Sequence, residues 1–225
     1  MKRQPLIAGN WKMHLNIAQA KELAEQTKHS ARQAAGCEVM IAPPFTMLPA
    51  VAEVLHDSDV ILAGQNVCWA AQGAFTGEIS PAMLKEHGCR MAIVGHSERR
   101  HVFGEDNRMV NKRLLGAMEH GLTPVLCIGE ELQAREDNKT LDVLEDQVRA
   151  GLQDTALTNP AKLVVAYEPV WAIGTGKTAS VEQAQEAHVF IRAMLADIFD
   201  KTIASQVRIL YGGSVKSDNI DALMA

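Results

Sequence analysis

Residues 164–180 read VVAYEPVWAIGTGKTAS, and the order of residue types in this stretch decides the architecture. Val164, Val165, Ala166 and Tyr167 form a run without a polar break, the pattern of a strand covered on both faces in a parallel sheet. Glu168 ends the run, and Pro169, Gly174 and Gly176 then interrupt any regular element. Ser180 with Gln183 three residues later is a capping-box pattern, so a helix begins there. The stretch is a strand, a loop and a helix start, with a carboxylate where strand meets loop.

The same unit recurs along the chain. Continuous apolar runs occupy 6–8, 39–42, 60–63, 91–94, 124–128, 163–167 and 207–211. Amphipathic stretches lie between them: Ile17, Ala20, Leu23 or Ala24, Thr27 and Ala31 keep helical spacing, as do Val181, Ala184, Ala187, Ile191, Leu195 and Ile198. Ser80-Pro81 supplies an N-cap and an N1 proline, and Gly88 and Gly121 each follow Glu-His as left-handed helix stops. No linker or low-complexity tract divides the sequence, which reads as one domain, 1–225. The residues leaving the strands are Asn10, Ala42, Gln65, His96, Gly129, Glu168 and Gly212. Seven consecutive βα units favour an α/β fold of the (β/α) barrel type over a doubly wound sheet, with the site at the C-terminal strand ends. Such a barrel closes with eight strands in about 250 residues, so an eighth strand and helix are expected to be missing after Ala225.

The 225 residues are 47% apolar, 22% charged and only 4% aromatic, with a net charge of −5. That charge argues against nucleic-acid or anionic-membrane surfaces, and it means that an anionic ligand needs a locally positive site. Cys37, Cys68, Cys89 and Cys127 show no Cys-x-x-Cys spacing and read as reduced thiols, which points to the cytoplasm. The apolar stretch near the N-terminus is too short for a signal peptide, and no segment approaches a membrane span.

Polar residues collect at the strand ends: Asn10 and Lys12, His96 and Glu98, Glu168, then Gly212-Gly213-Ser214. Each alone reads as a loop residue, but a lysine, a histidine and a glutamate on three strand ends read together as a site. His96 precedes Ser97-Glu98-Arg99-Arg100, a helix start whose field disfavours an imidazolium. His29, His56 and His188 sit in helical patterns and read as surface residues. "GTGKT" lacks the first glycine of a phosphate loop, since Trp171 stands there. "GHSER" lacks the last glycine of a nucleophile elbow. Glu98, Glu130 and Glu131 with His96 make no metal-ligand spacing, so neither metal nor cofactor is expected. A carboxylate base, a neutral histidine donor and an ammonium suit proton abstraction next to a carbonyl. Gly174, Gly212, Gly213 and Ser214 offer backbone N–H groups to a phosphate, with Ser217, Asp218 and Asn219 as a helix start behind them.

"AGNWKMH" (8–14), "GHSERR" (95–100), "CIGE" (127–130), "AYEPVWAIGTGK" (166–177) and "YGGSV" (211–215) closely resemble the triosephosphate isomerase family, in order and at its spacings. The resemblance runs from about Leu6 to the last residue and implies a (β/α)8 TIM barrel. It implies an isomerase interconverting dihydroxyacetone phosphate and D-glyceraldehyde 3-phosphate in glycolysis and gluconeogenesis, with Glu168 as base and His96 polarising the carbonyl. Lys12 would neutralise developing charge and phosphate, Asn10 would bind substrate and orient Lys12, and Glu98 would support His96. Pro169, Val170, Trp171, Ala172, Ile173, Gly174, Thr175, Gly176 and Lys177 would form a closing lid, with Gly174, Gly212, Gly213 and Ser214 at the phosphate. The family is usually a homodimer; here the 65–78 loop would insert beside the partner's site, with Thr76 as a contact and Glu78–Arg99 as a pair across the interface. Two other readings stay open: a Schiff-base aldolase on a phosphate-binding barrel with Lys12 as nucleophile, and an inactive truncated fragment of the isomerase.

Overall fold

The structure, a computed structural model, describes residues 3–34, 36–173, 178–215 and 219–224. Seven strands follow one another in a parallel sheet in chain order, β1 to β7, with helices between them, as the recurring βα unit requires. Two compact units divide the chain: 1–94 with 112–125, and 95–111 with 126–225.

The first unit carries β1 (Leu6–Asn10), α1 (Ile17–Gln33), β2 (Glu38–Ala42), α2 (Leu48–Leu55), β3 (Ile61–Gly64), α3 (Pro81–Glu86) and β4 (Met91–Val94). β1 pairs with β2 from Leu6 opposite Glu38 to Asn10 opposite Ala42, β2 with β3 at Met40 and Ile61, and β3 with β4 at Ala63 and Met91. Every residue of β3 and β4 is buried, which is why their sequences run apolar without alternation. The Asn16 side chain caps α1 and Gln19 returns the bond to the Asn16 N–H, a second capping box absent from the sequence reading. Ser80 caps α3 ahead of Pro81, and Gly88 and Gly121 both hold positive φ at the helix ends, as expected.

The second unit carries α4 (Ser97–His101), α6 (Leu132–Glu136), α7 (Thr140–Gly151), β6 (Val164–Tyr167), α8 (Val181–Ile198), α9 (Lys201–Gln206), β7 (Arg208–Tyr211) and α10 (Ile220–Met224). The boundary passes through α5 (Asn107–Glu119) and β5 (Thr123–Ile128), to which both units contribute. β6 pairs with β7 in register from Val164 opposite Arg208 to Tyr167 opposite Tyr211. α7 buries Leu144, Gln147, Val148 and Gly151, and α8 buries Ala184, Ala187, Ile191, Met194 and Leu195. The α8 capping box forms as the sequence indicates, with Ser180 and Gln183 exchanging side-chain bonds. One histidine reading is corrected. His188 on α8 is half-buried with its Nε2 covered, and it packs edge-on to Tyr167, with ring centroids 6.3 Å apart, because its helical position turns inward over β6.

Candidate active site

Gly95 adopts φ +69° directly after β4, a conformation costly for any side chain, and a Cβ there would lie 2.9 Å from Val110. The turn delivers His96 as the N-cap of α4. Its Nδ1 accepts the Glu98 N–H at 3.2 Å. A ring nitrogen that accepts an N–H carries no proton, so the imidazole proton sits on Nε2. That atom lies 3.1 Å from Glu168 Oε1, and the Ser97 N–H donates to Glu168 Oε2 at 2.9 Å. Both side chains are buried, at 9% and 6% exposure, so these donors stabilise the carboxylate where water has little access. Glu98 reaches His96 chiefly through its backbone; its carboxylate stands 3.6 Å from Nδ1.

Glu168 leaves β6 in close contact with the end of β5. Its N–H donates to the Ile128 carbonyl at 2.7 Å, and a Cβ built on Gly129 would fall 1.6 Å from the Glu168 carbonyl oxygen. Glycine is the one residue that fits. Gly212 comes up on the other side: its N–H donates to the Tyr167 carbonyl at 2.6 Å, and a Cβ on it would lie 3.1 Å from Glu168 Cγ. The glycine turn after β7 therefore adjoins the carboxylate. Ser214 offers its carbonyl to Asn219 Nδ2 at 3.0 Å, while Ser217 and Asp218 lie outside the described residues.

The loop after Glu168 is anchored from below by Glu130, whose side chain is fully buried. Glu130 Oε1 accepts from Trp171 Nε1 at 2.9 Å, from Tyr167 Oη at 3.2 Å and from Arg135 Nη1 at 3.3 Å. The Arg135 guanidinium stacks 5.3 Å from the Trp171 ring centroid. Burial, and then the Glu130 charge, push the Tyr167 phenol up, so it stays a donor. Pro169, Val170, Trp171, Ala172 and Ile173 are described, with a 3-10 turn over Val170–Ala172; Gly174, Thr175, Gly176 and Lys177 lie outside the described residues.

Further residues support this arrangement, and the sequence reading missed them. Arg100 donates to the carbonyls of Gly95 at 2.8 Å and Cys127 at 3.2 Å, tying α4 to β5. The Cys127 thiol is pushed well up, by burial first and then by the Glu168 charge. Gln147 binds both backbone groups of Gly129. Only Glu130, at the end of "CIGE", carried a readable signal: a charge closing an apolar run.

Asn10 and Lys12 leave β1 in the first unit. Lys12 holds φ +50°, rare for a residue with a side chain. Asn10 Oδ1 accepts the Lys12 N–H at 3.0 Å, and Gln65 Nε2 donates to the carbonyls of Lys12 at 2.8 Å and Ala42 at 2.9 Å. A strained backbone fixed by two side chains is the kind found at functional positions. In the same unit Thr76 is exposed. Glu78 and Arg99, expected as a pair across the interface, each have a partner within the chain. Glu78 takes a two-pronged bond from Arg113 at 2.6 and 2.7 Å, and Arg99 binds Glu105 at 2.7 Å.

Among the described residues no helix is long and apolar enough to cross a membrane. A family model described as triosephosphate isomerase matches residues 5–225. Curated relatives named triosephosphate isomerase agree along the chain. That of Syntrophotalea carbinolica is 51% identical over 99% of this chain and 88% of its own length. Those of Chloroflexus aurantiacus and Thermoanaerobacter pseudethanolicus are 48% and 46% identical over 99% of this chain and 89% and 90% of theirs. With its parallel βα units and the His96–Glu168 arrangement, the chain belongs to the triosephosphate isomerase family.

Proposed function

We propose that the chain interconverts dihydroxyacetone phosphate and D-glyceraldehyde 3-phosphate by proton transfer through an enediolate. The observation that carries this reading is the buried Glu168 carboxylate 3.1 Å from the protonated ring nitrogen of His96 and beside the glycine turn at Gly212. Glu168 takes the proton from C1 and returns it at C2. His96 Nε2–H, now bonded to Glu168, turns to the substrate carbonyl oxygen, which frees the carboxylate and stabilises the developing oxyanion. Lys12 offsets that negative charge and the phosphate, and Asn10 holds Lys12 in its left-handed conformation. Glu98 fixes the His96 tautomer through its N–H. Gly174, Gly212, Gly213 and Ser214 hold the phosphate, and the 169–177 loop closes over the substrate and excludes water.

The molecule works as a homodimer in the cytoplasm on this reading. Exposed apolar side chains in the first unit support the dimer: Met13 is 93% exposed and Phe75 is 37% exposed, and such side chains gain from cover. Four free thiols agree with a reducing compartment.

The deciding experiment is Glu168→Asp in a coupled isomerase assay. Withdrawing the carboxylate by one methylene lowers kcat about 100-fold while KM stays within a few-fold. Undiminished turnover would remove Glu168 from the role.

A further inference from the structure

We infer that Gln147 is a positioning residue for Glu168, acting through the backbone of Gly129; the inference rests on Glu168 being the base. At the end of β5, alternate residues bond to alternate sides. The Ile128 carbonyl accepts the Glu168 N–H at 2.7 Å, and the Glu130 carbonyl accepts the Val170 N–H at 3.1 Å. Gly129, between them, directs its own N–H and carbonyl to the opposite edge. There the Gln147 carboxamide meets both: Gly129 N–H donates to Oε1 at 2.7 Å, and Nε2–H donates to the Gly129 carbonyl at 3.2 Å. A carboxamide accepts and donates in one plane, as a neighbouring strand's backbone would. Gln147 thus stands in for a strand at this level, and it is itself buried on α7 beside Leu144 and Val148.

The coupling to Glu168 is steric. With a built Cβ on Gly129 only 1.6 Å from the Glu168 carbonyl oxygen, the two backbones touch without slack. A shift of Gly129 moves Glu168, whose carboxylate lies in line with the Ser97 N–H at 2.9 Å and His96 Nε2 at 3.1 Å. A satisfied core amide with no role in positioning would affect stability alone. A positioning residue affects kcat in protein that is fully folded.

The test compares purified full-length Gln147→Met and Gln147→Glu with the parent and with Glu168→Gln, each checked by thermal melting. Methionine keeps the length and removes both bonds. Its kcat is expected to fall about 10- to 100-fold, as displacements near 1 Å do, with KM within about twofold. Glutamate retains the acceptor, and when protonated it regains the donor. The ratio of Gln147→Glu to parent kcat therefore rises as pH falls. In the Glu168→Gln background, Gln147→Met adds no further loss, because no carboxylate remains to be placed. Parental kcat in Gln147→Met, or the same fold loss with and without Glu168, overturns the inference. If Gln147→Met does not fold, a pH-independent ratio for Gln147→Glu overturns it. Parental turnover in Glu168→Gln alone would instead overturn the reading of Glu168 as base, so the two failures are distinguishable.

Discussion

His96 presents its two ring nitrogens to opposite tasks: Nδ1 accepts the Glu98 N–H, and Nε2 lies 3.1 Å from Glu168 Oε1. The backbone of α4 thereby selects the tautomer before any substrate arrives, and the donor left over faces the carboxylate. Two measurements check this. Nitrogen-15 NMR of the imidazole at pH 8 is expected to show the proton on Nε2, and a proton on Nδ1 would contradict the geometry. His96→Phe, which keeps a flat ring and removes the donor, lowers kcat roughly 100- to 1000-fold, the usual effect of deleting one oxyanion donor.

Arg113 organises the 65–78 loop from within. Its side chain is 2% exposed and binds the Val67 carbonyl at 2.7 Å as well as both Glu78 oxygens. It also lies 5.4 Å from the Trp69 ring centroid. Arg113→Met removes a buried donor from a carboxylate and a carbonyl and is expected to cost about 3 kcal/mol in urea unfolding. Arg113→Met with Glu78→Met recovers part of the loss, since both charges of the pair are then removed together. A single variant within about 0.5 kcal/mol of the parent would show that the pair contributes nothing.

The strands were legible because burial on both faces demands unbroken apolar runs, and Glu168 stood out as a charge closing one of them. His96 and Lys12 were legible for the same reason, as polar residues at strand exits. Arg113, Gln147 and His188 were not. Each sits on a helix where a polar residue normally faces water, and only packing distinguishes a solvated side chain from one turned inward. Asn16 escaped notice because asparagine before a helix is equally common in turns.

His188 gives the chain a defined acid sensitivity. Burial first, and then the nearby Arg192 charge, hold its imidazole below the usual histidine value. The unfolded chain, with an ordinary value of about 6.5, takes up the proton first as pH falls. The contribution to stability is therefore complete above pH about 6.5 and is lost as pH drops toward the lowered folded value, below which it stops changing. Melting temperatures from pH 8 to pH 5 are expected to fall more steeply for the parent than for His188→Gln, which carries no charge at any pH. Parallel curves would show that His188 makes no such contribution.

The cysteines divide by burial, and the division can be read chemically. Cys68, Cys89 and Cys127 are buried while Cys37 is partly open. Burial pushes the Cys89 thiol up to about 12, and burial with the Glu168 charge pushes Cys127 well up. Thiolate is the reacting form, so neither ionises appreciably at pH 8, and the core also denies them access to reagent. A disulfide reagent at pH 8 is expected to label Cys37 in a fast phase and the other three only as the protein unfolds. Cys37→Ser removes the fast phase. Peptide mass mapping that found Cys127 labelled in the fast phase would show that the end of β5 opens in the native protein. Glu168 could not then be held where its bonds to Ser97 and His96 require.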